Sequence, residues 1–394
     1  MRAAASILLL AAAVALVVRR PFGVPKWVPP LTLACVAFVT GLVSWEQISQ
    51  EAAAMNPAIL FLLAAVPLGV LLDRLGYFRA VADLVGGGRH LVRDLWIVAA
   101  IVTTVLNLDA AVVLLTPLYV RIARHRGLDP VALAFQPVLL ALVASSALPV
   151  SNLTNLIVTE RLDLSTVAFI THLALPSIAA TTVGWFFYRR AFPVVPPAPR
   201  AREHWDRRAF IIGTVLVVLL LVAFVAGPPV GIKAWMSALA VDLVLIVIVR
   251  DVPWRAVPVS TGVVVGGLAV LAAAAAPHLP VADLLGPQDG VGAVLRAVGT
   301  GVGGAALMNN VPAVLVALPT LHASGDSLWG LLLGLNIGPA LIITGSLASL
   351  LWLDSVHRLH LKISARDFSR VGIRVGIPAL VAATVTLAAL TALR

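Results

Sequence analysis

The segment Leu106-Asn107-Leu108-Asp109-Ala110-Ala111-Val112-Val113-Leu114-Leu115-Thr116-Pro117 has a counterpart in the second half of the chain, Leu307-Met308-Asn309-Asn310-Val311-Pro312-Ala313-Val314-Leu315-Val316-Ala317-Leu318-Pro319. In each, an Asn stands ten positions before a Pro, and the run between them is almost wholly apolar, with Asp109 its only charge. A polar cluster repeated inside two hydrophobic stretches is what a transporter built from duplicated halves needs at its solute site.

Composition places these stretches in a membrane. The 394 residues are 60% hydrophobic and 12% charged, with a mean hydropathy of +1.02. A soluble domain carries about 25% charge and rarely sustains long apolar runs. The runs are continuous rather than alternating, so they predict helices and not a β-barrel. The net charge of +10 comes from Lys and Arg gathered in short loops, which is a topology signal and not a nucleic-acid footprint. The single Cys35 leaves no internal disulfide or Cys-rich metal site, and its apolar run predicts a buried structural thiol. Residues 3–18 read as a first span rather than a signal peptide, because no small-residue cleavage site follows before Arg19-Arg20.

Apolar runs predict ten spans, near 3–18, 28–43, 58–72, 131–160, 166–188, 209–226, 231–249, 257–276, 327–353 and 372–393. Two further runs, 95–120 and 298–320, carry the repeated motif. Their topology follows from charge, because every connecting loop is short enough for the positive-inside rule. If both runs are re-entrant, the loops at 19–26, 74–93, 121–126, 189–208, 250–255 and 358–374 are cytoplasmic and hold 23 of the 28 basic residues. If both runs span, only 13 are cytoplasmic. The re-entrant arrangement predicts an all-α polytopic membrane protein. Two five-helix halves, 1–188 and 209–394, form an inverted repeat, each with an amphipathic connector (73–93; 278–297), a re-entrant hairpin and a broken helix. The linker at 189–208 is rich in Pro and Arg, and its Phe192–Pro199 stretch reads as extended and cytoplasmic.

The candidate site lies where the backbone breaks. Irregular backbone at membrane depth is tolerated only against protein or a wet cavity. Pro312 is expected to interrupt the second motif run. The hairpin tips offer Asn107 and Asp109 in one half and Asn309 and Asn310 in the other, suited to a cation or a small oxygen-rich solute. A second pair of breaks follows, Ser145-Ser146-Ala147-Leu148-Pro149-Val150-Ser151-Asn152-Leu153-Thr154-Asn155 and Asn336-Ile337-Gly338-Pro339 leading to Thr344-Gly345-Ser346-Leu347-Ala348-Ser349. These align with Asn152 opposite Ser346. The expected solute ligands are Ser146, Ser151, Asn152, Asn155, Asn309, Asn310, Asn336, Thr344 and Ser346. Polar groups of this kind also join transmembrane helices, but four symmetric clusters point to a cavity. The sequon Asn152-Leu153-Thr154 lies within a span and is accidental.

Of the 18 acidic residues, only Asp109 and Asp242 fall near mid-membrane. An intramembrane carboxylate is costly and is a functional candidate by default. Asp109, with Asn107, is the expected proton or cation coupling group, and the matching position in the second motif is Val311. Asp242 has no polar neighbourhood in sequence and reads as a packing residue, and His172 as a hydrogen-bonding residue of the bundle. Gly86-Gly87-Gly88 lacks the following Gly-Lys-Ser/Thr of a phosphate loop. No nucleophile–base pair or metal-ligand cluster suggests an enzyme, and no cofactor is expected.

Gly334-Leu335-Asn336-Ile337-Gly338-Pro339 leading to Gly345-Ser346-Leu347-Ala348-Ser349-Leu350-Leu351-Trp352, with Met308-Asn309-Asn310-Val311-Pro312 and Ser151-Asn152-Leu153-Thr154-Asn155-Leu156, resembles the arsenite permeases of the ion transporter superfamily. The resemblance implies export of arsenite or antimonite by proton antiport. Where that family's first hairpin usually reads Asn-Asp-Gly, this chain has Leu108-Asp109-Ala110, with Asn107 one residue earlier. A usual Asp is Asn336 here, and a usual Lys is Ala340. The implied partners are a small inorganic solute, protons or sodium, and the lipid bilayer, with a soluble ATPase and a homodimer left open and no nucleic acid. A sodium-coupled dicarboxylate or sulfate carrier and a sodium/proton antiporter are the alternatives.

Overall fold

A computed structural model describes residues 1–20, 23–86, 90–193 and 205–394. Among them there is no strand. The helices are α1 Arg2–Arg19, α2 Val28–Val39, α3 Trp45–Leu75, α4 Tyr77–Gly86, α5 Leu91–Leu106, α6 Leu108–Arg126, α7 Pro130–Val143, α8 Leu153–Leu162, α9 Thr166–Phe169, α10 Leu175–Ala191, α11 Arg207–Ala226, α12 Ala234–Val249, α13 Val259–Ala275, α14 Val281–Leu285, α15 Val291–Met308, α16 Asn310–Ala317, α17 Asp326–Ile337, α18 Leu347–Arg358 and α19 Ala365–Ala392. A π-helical turn, Ile170–Ala174, joins α9 to α10 without a break. Most of the linker at 189–208 and Gly87-Gly88 lie outside the described residues.

Seven stretches among the described residues are long and apolar enough to cross a membrane: α1, α3, Thr166–Ala191, α11, Trp254–His278, α15 and α19. Six coincide with predicted spans. The seventh, α15, begins inside the stretch read as the connector 278–297, because its first turns continue the motif-bearing helix. The predicted spans 28–43 and 231–249 form shorter helices of 12 and 16 residues, and 131–160 and 327–353 are each broken. Cys35 corrects the expectation of a buried thiol: it is exposed, because in a membrane bundle an apolar run also supplies the lipid-facing side of its helix.

Two broken helices form the centre. Leu133–Val143 of α7 and Ser327–Ile337 of α17 are buried on every face, which is why their sequences are hydrophobic all round rather than amphipathic. α7 is tied to three neighbours, once by its own side chain and twice by theirs. Gln136 Nε2 donates to the Val92 carbonyl of α5 at 2.9 Å, Tyr188 Oη of α10 to the Ala132 carbonyl at 2.8 Å, and Trp352 Nε1 of α18 to the Ala134 carbonyl at 2.7 Å. α17 is positioned by close packing instead. A Cβ at Gly330 or Gly334 would lie 2.6 Å from the Val294 carbonyl oxygen or 2.3 Å from that of Val298, so the small residues let α17 meet the α15 backbone. That stripe fixes the height of Asn336, two residues beyond Gly334.

Side chains also tie the loops. Arg20 and Lys26 reach Asp354, Arg74 pairs with Asp251, and Arg124 donates to the Leu359 carbonyl. In a second group Arg161 pairs with Glu51, Lys233 with Glu160, and the Gly290 amide donates to Asp326. Tyr119 Oη, past the middle of α6, donates to the Leu95 carbonyl near the start of α5 at 2.5 Å, across 24 residues of sequence. A continuous helix would separate them by about 36 Å.

Candidate functional site

The breaks in the two motif copies are built alike. α5 stops and α6 starts at Asn107, which has φ 136° and ψ 151°; α15 stops and α16 starts at Asn309, with φ 73° and ψ 154°. Both pairs of angles combine positive φ with ψ near 150°, a region otherwise almost confined to Gly, so each Asn is held there by its surroundings. Asn107 Oδ1 accepts from the Asp109 amide at 2.8 Å, and its Nδ2 donates to the Val150 carbonyl at 3.3 Å. Asn309 Oδ1 accepts from the Val311 amide at 3.3 Å, and its Nδ2 donates to the Thr344 carbonyl at 3.0 Å. Each Asn therefore caps one helix and clasps a second break. Pro312 corrects the sequence reading: the interruption falls at Asn309, and Pro312 sits in the first turn of α16, where a helix needs no N–H from it.

The second breaks match as well. A 3-10 turn, Pro149–Ser151 or Ile343–Gly345, leads to an extended residue that caps the next helix. Asn152 has φ −144° and ψ 140°, and Ser346 φ −144° and ψ 146°. Asn152 Oδ1 accepts from the Thr154 amide and Ser346 Oγ from the Ala348 amide, each at 3.2 Å. Four capped helix N-termini thus line the breaks, at α6, α8, α16 and α18. A side-chain cap satisfies one of the several amides left free at a helix start, so each terminus keeps donors and a partial positive charge.

Asn336 joins the two halves. Its Oδ1 accepts from Asn152 Nδ2 at 2.9 Å and Thr154 Oγ1 at 2.8 Å, and its Nδ2 donates to Asn155 Oδ1 at 2.8 Å and Ser146 Oγ at 3.2 Å. Asn155 Nδ2 donates to the Ser145 and Leu148 carbonyls, and Ser151 Oγ lies 2.6 Å from both and shares its one hydrogen between them. Residues 145, 146, 151, 152, 154, 155 and 336 therefore form one buried network that satisfies the carbonyls freed where α7 ends. Of the sequence candidates, Ser146, Ser151, Asn152, Asn155 and Asn336 are brought into this network. Asn107, Asn309, Thr344 and Ser346 belong to the caps and clasps. Thr154 and Ser145 were missed as site residues, although both stand within the polar stretch that marks the break.

Buried polar atoms beside the breaks include two without a partner among the described residues. Asp109 is 7% exposed and its Oδ1 makes no hydrogen bond. Ser349 Oγ, two residues into α18, is also unpartnered, and Asn310 at the start of α16 is buried. A cleft of about 340 Å³ runs beneath α1 to Asn309 and Thr344, between Leu10, Val14 and Leu307. Elsewhere, Asp242 of α12 is buried with Oδ1 unpartnered. The His172 ring stacks on Trp329 at 4.2 Å with Nδ1 2.7 Å from the Ala168 carbonyl, apart from the network.

Polar groups concentrated at helix breaks inside an apolar bundle define a multi-pass membrane transporter. The chain belongs to the citrate transporter family, which it matches over residues 13–345. Among curated proteins it is 29% identical to an arsenical pump membrane protein of Yersinia enterocolitica and 28% identical to one of Escherichia coli K12, in each case over 91% of both chains. A putative arsenical pump membrane protein of Bacillus subtilis is 24% identical over 46% of this chain and 44% of its own length. These relatives and the apolar helices place the protein in the cell membrane.

Proposed function

We propose that this protein exports arsenite or antimonite across the cytoplasmic membrane in exchange for protons. One observation carries the choice of solute: among the described residues, the buried polar groups at the breaks are amides, hydroxyls and one carboxylate, with no Lys or Arg. Arsenite at neutral pH is an uncharged trihydroxy solute, which amide and hydroxyl groups and capped helix ends can hold without a counter-charge. A citrate anion buried in the same place would need compensating positive charge beyond helix termini. The names of the similar arsenical pump proteins agree with this reading. The family match and the four helix N-termini favour a second one, a sodium-coupled carboxylate carrier.

In the proposed arrangement, residues 1–188 and 209–394 are inverted repeats, and α5–α6 and α15–α16 are re-entrant hairpins meeting near the midplane. Loops on opposite faces of a hydrocarbon core about 30 Å thick cannot share a hydrogen bond. With both hairpins re-entrant, Arg20 and Asp354, Arg74 and Asp251, and Arg124 and Leu359 are all cytoplasmic, while Arg161 and Glu51, Lys233 and Glu160, and Asp326 and Gly290 are all external. With both runs spanning, Arg74 and Asp251, Arg124 and Leu359, Arg161 and Glu51, and Asp326 and Gly290 would be split. The bond from Tyr119 to Leu95 supports the same reading for the first hairpin.

Asp109 takes up the proton, and Asn107 holds it by fixing the start of α6. The solute displaces water from the free amides at the helix starts, from Asn309, Asn310 and Ser346, and from the Thr344 segment. Ser146, Ser151, Asn152, Asn155 and Asn336 frame it and exchange partners as the halves move. Expression in cells lacking their own exporter tests the reading: it should raise arsenite tolerance and lower accumulation, and unchanged values would reject the solute. Asp109→Asn should abolish proton-coupled export, and full activity in that variant would remove Asp109 from the mechanism.

A further inference from the structure

Arg366, Arg370 and Arg374 recur every four residues along α19 and are exposed. They line an open cleft of about 570 Å³ together with Ile342, Ile343, Ala365, Ser369 and Ile373. Arg370 has one acidic neighbour, Asp367, at 3.5 Å, and Arg366 and Arg374 have no ion-pair or hydrogen-bond partner among the described residues. Three guanidinium groups on one face repel one another, so an arrangement this poorly neutralised is suited to an external anion.

The continuation of the same face says which anion. Ile373, Ile377, Val381 and Val385 follow at helical spacing and are all exposed. Taken at about 100° per residue, they fall on the stripe that carries the arginines. This face is therefore apolar along the membrane and cationic at its rim. A soluble anion has use for the rim alone, whereas a phospholipid uses both parts, with headgroup on the arginines and acyl chains on the Ile and Val stripe.

We propose that this cleft is a binding site for an anionic phospholipid. Successive arginines lie about 6 Å apart along the helix, so the triplet spans about 12 Å. That length fits the two phosphates of a diphosphatidylglycerol headgroup better than the one of a phosphatidylglycerol. Ile342 and Ile343 directly precede Thr344, whose carbonyl clasps Asn309, so the lipid sits beside the second break. On the sidedness proposed above, the site faces the cytoplasmic leaflet, and it does not depend on which solute is carried.

The test is native mass spectrometry of the purified full-length chain titrated with diphosphatidylglycerol, phosphatidylglycerol and phosphatidylcholine, each with and without millimolar inorganic phosphate. The expected order of retention is diphosphatidylglycerol, then phosphatidylglycerol, then phosphatidylcholine, with no competition from phosphate. At about fivefold per arginine, Arg366→Gln/Arg370→Gln/Arg374→Gln should weaken diphosphatidylglycerol binding about 100-fold. Arg189→Gln/Arg190→Gln/Arg208→Gln, equal in charge removed, should leave it within about twofold. If the first triple variant does not fold, Arg366→Gln and Arg374→Gln are read singly, each with about a fivefold loss. Equal loss in both triple variants, equal retention of phosphatidylcholine, or displacement by inorganic phosphate would overturn the proposal, the last in favour of a soluble anion.

Discussion

Replacing Asn336 by Ala removes a second-half side chain that bonds to both sides of the α7–α8 break. Four hydrogen bonds go at once, two accepted from Asn152 and Thr154 and two donated to Ser146 and Asn155. Interhelical hydrogen bonds in membrane bundles average about 0.6 kcal/mol, with a maximum of about 1.7. Four give about 2.4 kcal/mol. The partners stay buried, because Asn152, Thr154, Asn155 and Ser146 are all enclosed, and this raises the expected loss to about 3–4 kcal/mol. The assay is reversible unfolding in mixed micelles, with Ser349→Ala as the reference, since that hydroxyl is buried without a partner and its removal should cost about 0.5 kcal/mol or less. A double-mutant cycle of Asn336→Ala with Asn152→Ala should give a coupling of about 0.5–1.5 kcal/mol. A loss for Asn336→Ala no larger than that for Ser349→Ala, or a coupling of zero, would refute the view that this network joins the halves.

Three further outcomes are expected. Asn309→Gly should unfold less readily than Asn309→Ala by about 1 kcal/mol, because Gly accepts φ 73° without strain while both variants lose the cap; equal stabilities would remove the backbone argument. Gly334→Ala pushes a methyl group to within 2.3 Å of the Val298 carbonyl oxygen and should lower stability by about 2 kcal/mol or more, whereas Gly303→Ala meets nothing within 4 Å and should be near neutral. The pairs Arg74→Cys with Asp251→Cys and Arg161→Cys with Glu51→Cys should cross-link in intact membranes through short bifunctional reagents, the first only from the cytoplasmic face and the second only from outside. Failure of either pair would break the loop assignment.

The sequence made the breaks legible because Asn, Ser, Thr and Pro are costly inside apolar runs and stand out there. Both motif copies, the position of Asn152 relative to Ser346 and the polar segment 145–155 could be read directly. Partnership could not. Asn336 and Asn152 are 184 residues apart, and only the packing of α17 on α15 through Gly330 and Gly334 brings them together. The role of Asn309 was hidden for a similar reason. Pro312 is the stronger helix breaker in isolation, but a Pro in a helix's first turn is harmless, and the break went to the residue whose side chain could cap and clasp. The breaks inside 131–160 and 327–353 were legible from their polar residues, whereas 28–43 and 231–249 form helices of only 12 and 16 residues, because apolar composition alone does not mark where a helix ends. The exposure of Cys35 is not legible because hydrophobicity alone does not separate a core face from a lipid face.

The central claim is a neutral-solute site coupled to protons, and arsenite uptake into everted membrane vesicles tests it most directly. With an acidic interior imposed, the vesicles should accumulate arsenite, lose that accumulation when the pH gradient is collapsed or when Asp109 is replaced by Asn, and be unaffected by excess citrate or by the absence of sodium. Uptake that requires sodium and is blocked by citrate would contradict the account and establish the carboxylate carrier in its place.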